Sequence, residues 1–313
     1  MKPLVYLVRA LPGGIPAWLR ERVEIRGGAQ TAPPRQKLIE EAAGAVILAP
    51  TYLDRVDDAL LAALPTVRHV ASYGVGVNHL DLEACRQRKV LVTNTPGVLT
   101  NATADLAFAL LLAAARRVAD GDRMIRAGRW RSVAPGDNLG VEVSGKTLGL
   151  VGFGRIGQAV ARRAAGFSMK VLFATPEEVE FPGAERVSLE ELLARSDFVS
   201  LHCPLTPQTE NLMSRSRLRA MRRGAVLVNT SRGPVVDDAA LAEALADGHL
   251  AAAGLDVFRD EPNVPKAYLG LENVVLTPHI GSGTHETRQA MARLVWEDIG
   301  HFAAGEPPAH PVP

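Results

Sequence analysis

TLGLVGFGRIGQAVARRA, Thr147–Ala164, is the stretch that decides the fold. It reads as a strand (TLGLV), a glycine loop (GFGRIG) and the start of a helix (QAVARRA). A G-x-G-x-x-G alone is a weak signal, but placed between a strand and a helix it reads as a dinucleotide loop. Gly152 permits the tight turn, Gly154 lets backbone approach a pyrophosphate, and Gly157 allows close packing of helix on strand. The N-terminus of the helix offers unpaired N–H groups and a partial positive charge to phosphates.

Outward from this loop, strand-like runs alternate with helical intervals. Downstream lie Lys170–Phe173, Phe198–His202, Ala225–Asn229, Gly254–Val257 and Val274–Thr277. With Thr147–Val151 they make six strands, the count of a complete dinucleotide fold. Upstream, Leu4–Val8, Ala45–Leu48, Val67–Tyr73 and Val90–Thr93 form an earlier set of βα units. Between the sets, Asn101–Arg117 reads as one long helix, with Thr100 or Asn101 as its N-cap. LAFALLLAAA is apolar nearly all round, so this helix is expected to be buried on several sides, between domains or against a second subunit. A last helix is expected over about 286–304.

At about 150 residues per domain, 313 residues suggest two domains. Hydrophobic residues make up 47% and charged residues 22%, which argues for a packed chain over a disordered one. Lys and Arg total 35 against 34 Asp and Glu, a net charge of +1. So even a balance has no global field for nucleic acid or an acidic membrane, and neither is expected as a partner. The longest apolar run, Leu106–Ala115, has ten residues, whereas a membrane span needs about 20. The opening MKPLVYLVRALPGG reads as a first strand and not a signal peptide. Cys85 and Cys203 supply neither a disulfide framework nor metal-ligand spacing, and a reducing cytoplasm is the expected setting. Arginines 116, 117, 123, 126, 129 and 131 interleave with Asp120 and Asp122, which reads as a solvated surface.

A dinucleotide site usually carries an acid about 20 residues after the glycine loop, to hold the adenosine ribose. Here the second strand ends in Ala174-Thr175-Pro176, and Glu177 and Glu178 come late. No Arg stands at the tip either. Thr175 can hydrogen-bond a ribose hydroxyl or a 2′-phosphate, so NAD and NADP both remain open, with a lean to NAD.

Three segments leave the carboxyl ends of later strands, where ligands bind in open α/β sheets. They are NTSRGPVVD (229–237), GLDVFRDEP (254–262) and LTPHIGS (276–282), carrying Arg232, Glu261 and His279. Hydride exchange at a carbonyl carbon needs a proton donor or acceptor for the oxygen, and an imidazole suits that task. Glu261 can hold the other ring nitrogen. Arg232 offers a planar fork for a carboxylate and can polarise the adjacent carbonyl. Each alone is more often a surface or structural residue. Together, after a nucleotide loop, they select a 2-oxo or 2-hydroxy acid.

The sequence resembles the D-isomer-specific 2-hydroxyacid dehydrogenase family over essentially its whole length. The resemblance rests on NTPGVLTNATADLAFALLLAAAR, GKTLGLVGFGRIGQAVARRA, LHCPLTPQT, NTSRGPVVD, AAAGLDVFRDEP and TPHIGS, in that order. It implies that Arg232, Glu261 and His279 are catalytic. It implies that Asp256 meets the nicotinamide amide, and that Arg155 and Ile156 line the pyrophosphate. Cys203, Pro204 and Thr209 are then expected near the adenosine half, and Thr230 and Ser231 beside the nicotinamide ribose. Backbone N–H groups in SYGVGVNHLD are expected to hold the substrate carboxylate, placing Val75 and Gly76 at the substrate beside Arg232 and His279. Phosphite dehydrogenases resemble the family but use a Lys in this loop, which this chain lacks.

Within the family, LTNATADLAFALLLAAAR and GSGTHETRQAM look most like glyoxylate/hydroxypyruvate reductases. D-3-phosphoglycerate dehydrogenase, or another D-2-hydroxyacid dehydrogenase, is the alternative enzyme. A nucleotide-sensing corepressor is the alternative of a different class, disfavoured by the intact Arg232–Glu261–His279 set. The expected fold is α/β, with two Rossmann-like or flavodoxin-like domains built on parallel sheets. Residues 1–98 plus 284–313 form the substrate domain, and the NAD(P)-binding domain, 99–283, is inserted into it. The substrate cleft is expected between the domains, and the resemblance implies a homodimer.

Overall fold

A computed structural model describes residues 2–312 of the chain. The chain divides into two compact units, Met1–Leu99 with Gly283–Pro313, and Thr100–Ser282.

The flanking unit holds β1 (Leu4–Leu7), β2 (Glu24–Gly27), β3 (Ile47–Ala49), β4 (His69–Ala71) and β5 (Leu91–Thr93). They form a parallel sheet in the order β2-β1-β3-β4-β5. β1, β3 and β4 are buried along their length, as in parallel sheets covered on both faces. β2 is an edge strand, EIRG, and mostly exposed. The helix His285–Ala303, capped by the Thr284 hydroxyl, belongs to this unit and buries Met291, Val295, Trp296 and Ile299.

The inserted unit holds β6 (Thr147–Val151), β7 (Lys170–Ala174), β8 (Ala184–Arg186), β9 (Phe198–Leu201), β10 (Ala225–Asn229), β11 (Leu250–Leu255) and β12 (Val274–Leu276). Their order is β12-β11-β10-β9-β6-β7-β8, all parallel. The chain leaves β6 in one direction through β7 and β8, then returns to β9 on the other side of β6. The resulting switch point lies at the carboxyl ends of β6 and β9, where open α/β sheets bind ligands. The sheet therefore has seven strands where six are expected. The added strand, β8, is Ala-Glu-Arg on the sheet edge. With two exposed residues out of three it carries no apolar run to announce it.

The apolar helix spans Thr100–Ala115 and lies against β10, β11 and the helix Arg155–Ala164. Gly254 in β11 makes this possible, because a Cβ there would sit 2.8 Å from the Leu110 side chain. The helix stops short of Arg117. Its Ala115 carbonyl accepts the Val141 N–H at 2.8 Å, and Arg117 turns into the left-handed region at φ 54°. A second helix, Val118–Arg126, follows. It is anchored by Asp120, a buried carboxylate 2.5 Å from the Arg117 guanidinium.

Candidate active site

The glycine loop joins β6 to the helix Arg155–Ala164. Gly152 has φ 87°, a left-handed conformation that an L side chain resists. A Cβ there would also lie 2.6 Å from the Cys203 nitrogen, so Gly152 lets the loop lie against the end of β9. A Cβ on Gly157 would lie 2.5 Å from the Gly152 carbonyl oxygen, so that glycine seats the helix on its own loop. Gly154 differs from both: nothing lies within 4 Å of where its Cβ would be. No side chain caps this helix, so the amides at Arg155 and Ile156 open without an intrahelical acceptor. Small residues, an open face and unsatisfied amides fit a pyrophosphate.

Thr175 follows the tip of β7. Its hydroxyl donates to Glu177, and that bond holds the Glu177 carboxyl below its ordinary range. The sequence shows no Arg at this tip, yet the fold supplies one. Arg186 of β8 donates to the carbonyls of Thr175 and Pro176, both at 3.2 Å. It escapes a sequence reading because the strand that carries it does.

After β9, the Thr209 hydroxyl donates to the Pro204 carbonyl at 2.6 Å and accepts the Thr206 N–H at 2.8 Å, closing the loop that follows Cys203. Burial pushes the Cys203 thiol up to about 11, so it stands as a neutral wall. After β10, Thr230 is buried, and its hydroxyl oxygen has no hydrogen-bond partner among the described residues. Such an atom is costly unless a ligand completes it, which fits a bound cofactor. The Ser231 hydroxyl, by contrast, donates to Asn229 at 2.8 Å.

Arg232, Glu261 and His279 come together through the backbone. Asn229 accepts the Ser231 N–H at 2.9 Å and donates to the Arg232 carbonyl at 3.0 Å, shaping the turn that carries Arg232. The Arg232 guanidinium donates to the Ser231 carbonyl at 2.7 Å. Gly233 then presses on the next loop: any Cβ there would overlap the backbone of Phe258 and Arg259. That loop carries Glu261. One Glu261 oxygen accepts the Phe258 N–H at 2.9 Å, and the other meets His279 Nδ1 at 2.6 Å. Burial raises the Glu261 pKa, but the bonds to His279 and Phe258 and the charges of His279 and Arg232 outweigh it. The carboxyl ends below its ordinary range. With Nδ1 donating to this carboxylate, Nε2 is the lone-pair nitrogen of the neutral ring.

Asp256 organises the loop that holds His279. Its carboxylate accepts the Thr277 hydroxyl at 2.7 Å and the N–H groups of Ile280 and Gly281 at 2.8 Å each. Its own carbonyl accepts the His279 N–H at 2.9 Å. His279 sits at φ 51°, a left-handed conformation that costs a non-glycine residue about 1 kcal/mol. Asp256 thus clamps three successive amides around a strained turn. Three of its acceptor positions are spent on that clamp. Thr277, Asn229 and Gly233 join it as positioning residues that a reading for reactive side chains passes over. Val75 and Gly76 lie in the other unit, on the loop after β4.

The family model described as "D-isomer specific 2-hydroxyacid dehydrogenase, NAD binding domain" matches residues 108–281. A glyoxylate reductase of Thermococcus litoralis is 47% identical over 98% of this chain and 96% of its own length. The chain belongs to the D-isomer specific 2-hydroxyacid dehydrogenase family. The enzyme is accordingly an NAD(P)-dependent oxidoreductase. Among solved structures, a Thermus thermophilus protein superimposes with a TM-score of 0.94 at 48% identity, covering 99% of this chain and 100% of that one. An NADPH-dependent glyoxylate/hydroxypyruvate reductase of Sinorhizobium meliloti, in complex with NADP and malonate, gives 0.87 at 32% identity, covering 100% and 97%. No helix of the described residues in this dehydrogenase is long and apolar enough to cross a membrane.

Proposed function

We propose that this dehydrogenase is a glyoxylate/hydroxypyruvate reductase. The observation that carries the chemistry is the 2.6 Å contact between His279 Nδ1 and Glu261. The choice of small acid rests on the glyoxylate reductase similarity over nearly the whole chain. A bound nicotinamide would supply or take up the hydride at the substrate carbon. The protein's groups do the rest. Protonated His279 delivers its Nε2 proton to the carbonyl oxygen as the 2-oxo group is reduced, and accepts it in the reverse direction. Glu261 fixes the ring and stabilises its positive charge. Arg232 grips the substrate carboxylate, with the amides of Val75 and Gly76 as further donors. Arg155, Ile156 and Gly154 hold the pyrophosphate on the turn that Gly152 and Gly157 shape. Thr175, Cys203, Pro204 and Thr209 serve the adenosine half, and Thr230, Ser231 and Asp256 the nicotinamide half. Residues 1–98 with 284–313 are the substrate domain, and 99–283 the cofactor domain. We place the enzyme in the cytoplasm as a homodimer.

The test is turnover of a 2-oxo-acid panel with NADH and with NADPH, followed by loss of absorbance. Glyoxylate and hydroxypyruvate are expected to lead, and no turnover with any acid would overturn the reading. His279→Ala is expected to lower kcat by about 10²- to 10⁴-fold while the reduced cofactor still binds. Near-normal kcat in that variant would remove His279 as the proton carrier.

A further inference from the structure

The loop Gly74–Val75–Gly76 is held from behind. The Gly74 carbonyl accepts the Thr95 N–H at 3.0 Å, and the Val75 carbonyl accepts the Asn94 side-chain amide at 2.8 Å. In a trans peptide the carbonyl and the N–H of one unit point in opposite directions. Fixing these two carbonyls toward residues 94–95 therefore aims the N–H groups of Val75 and Gly76 to the opposite side, as an adjacent donor pair suited to a carboxylate. Thr95 does its part with backbone alone. Asn94 is the side chain that sets the second amide.

Asn94 is itself anchored. It follows β5, which lies at the edge of its sheet. The segment 309–312 runs along that edge: Val312 N–H donates to the Val92 carbonyl at 2.8 Å, and Pro311 bridges Thr93. The His310 carbonyl then accepts the Asn94 backbone N–H at 3.2 Å. The segment is gripped in turn by Asp298 of the helix His285–Ala303, a fully buried carboxylate. Asp298 accepts the Ala309 N–H at 2.9 Å and the His310 N–H at 3.3 Å, and meets the His310 ring at 3.1 Å. Bonds thus run unbroken from Asp298 through the segment to Asn94 and on to the Val75 carbonyl.

We propose that Asn94 is a positioning residue for the substrate carboxylate, held in place by the segment 309–312. This rests on the reading of Val75 and Gly76 as carboxylate-binding amides. Asn94→Asp keeps the shape but turns the donor into an acceptor facing a carbonyl, so the Val75–Gly76 peptide rotates away. KM for glyoxylate is expected to rise about tenfold, with kcat changed less than about twofold and the Kd of NADPH unchanged. A chain ending at Pro308 is expected to shift KM in the same direction by a smaller factor. Oxalate binding to the NADPH-saturated protein, measured by calorimetry, is expected to weaken in parallel. Unchanged KM and unchanged oxalate affinity in both variants, at unaltered melting temperature, would overturn the proposal. Wild-type protein inert on every 2-oxo acid would overturn the reductase reading instead, and the oxalate titrations would still decide the role of Asn94.

Discussion

Two carboxylates stand beside His279, and burial acts on both. For Asp256 burial wins: despite accepting from Thr277, Ile280 and Gly281, and despite the His279 charge, its pKa is raised. For Glu261 the bonds to His279 and Phe258 win, and its pKa is lowered. The difference sorts their tasks. Geometry agrees with the contrast: Glu261 faces the His279 ring, while Asp256 accepts from the Thr277 hydroxyl and the amides of Ile280 and Gly281. The lowered pKa of Glu261 has a consequence for stability. A depressed carboxyl adds stability that is complete above its unfolded-chain value, about 4.3, and is lost as pH falls through the lower folded value. Asp256 pulls the other way, but it is present equally in a Glu261→Gln variant and cancels in the comparison. The wild type is therefore expected to melt above Glu261→Gln at about pH 5. Below that the margin is expected to shrink. A margin that stays constant down to pH 3 would refute the lowered pKa.

At the scale of elements, the glycines of the two loops divide into those that allow contact inside the protein and one that leaves room outside it. Gly154 has φ −71°, which any residue accepts, and open space beyond its Cβ position. Gly154→Ala is expected to fold with a melting temperature near wild type and to weaken binding of NADH and NADPH alike. Gly233→Ala sets a Cβ into the backbone of the Glu261 loop, and is expected to cost about 3 kcal/mol of stability and most of the activity. Denaturant titrations with cofactor titrations separate the two, and equal stability losses in both variants would defeat the distinction. The six expected strands of the inserted unit were legible as apolar runs, although β11 starts at Leu250, ahead of the expected Gly254, and β12 is buried only at Val274. β8 and β2 were not, since edge strands with exposed faces carry no such run. Arg186 was hidden with β8. Arg232, Glu261 and His279 could be read from residue type and position at strand ends. Their geometry could not, because it depends on backbone contacts at Gly233 and Asp256 that leave no periodic mark. Likewise, the long helix was legible as apolar, but its end at Ala115 was not. The Val141 amide that takes its last carbonyl lies far along the chain.

At the scale of the whole molecule, a net charge of +1 leaves recognition of an anionic substrate to local groups, the role proposed for Arg232. The arginine-rich stretch after Ala115 does not alter that balance. Arg117 pairs with Asp120, Arg126 with Asp122 and Arg129 with Glu272. What this region does present is apolar. Val118, Ile125, Trp130, Val133 and Leu139 are exposed, Val133 to 83%. Val118, Ile125 and Trp130 line one depression together with Met124. We propose that a partner covers these large apolar side chains. A second copy of this chain is the occupant that the family resemblance implies, and a two-fold contact would set the same residues against themselves. The wild type is therefore expected at twice the chain mass in light scattering at micromolar concentration. Trp130→Glu combined with Val133→Asp adds like charges on both sides of such a contact. That variant is expected to run as a monomer while keeping its β-sheet and helix circular dichroism. A variant that remains dimeric would move the contact elsewhere, and a monomeric wild type would remove it.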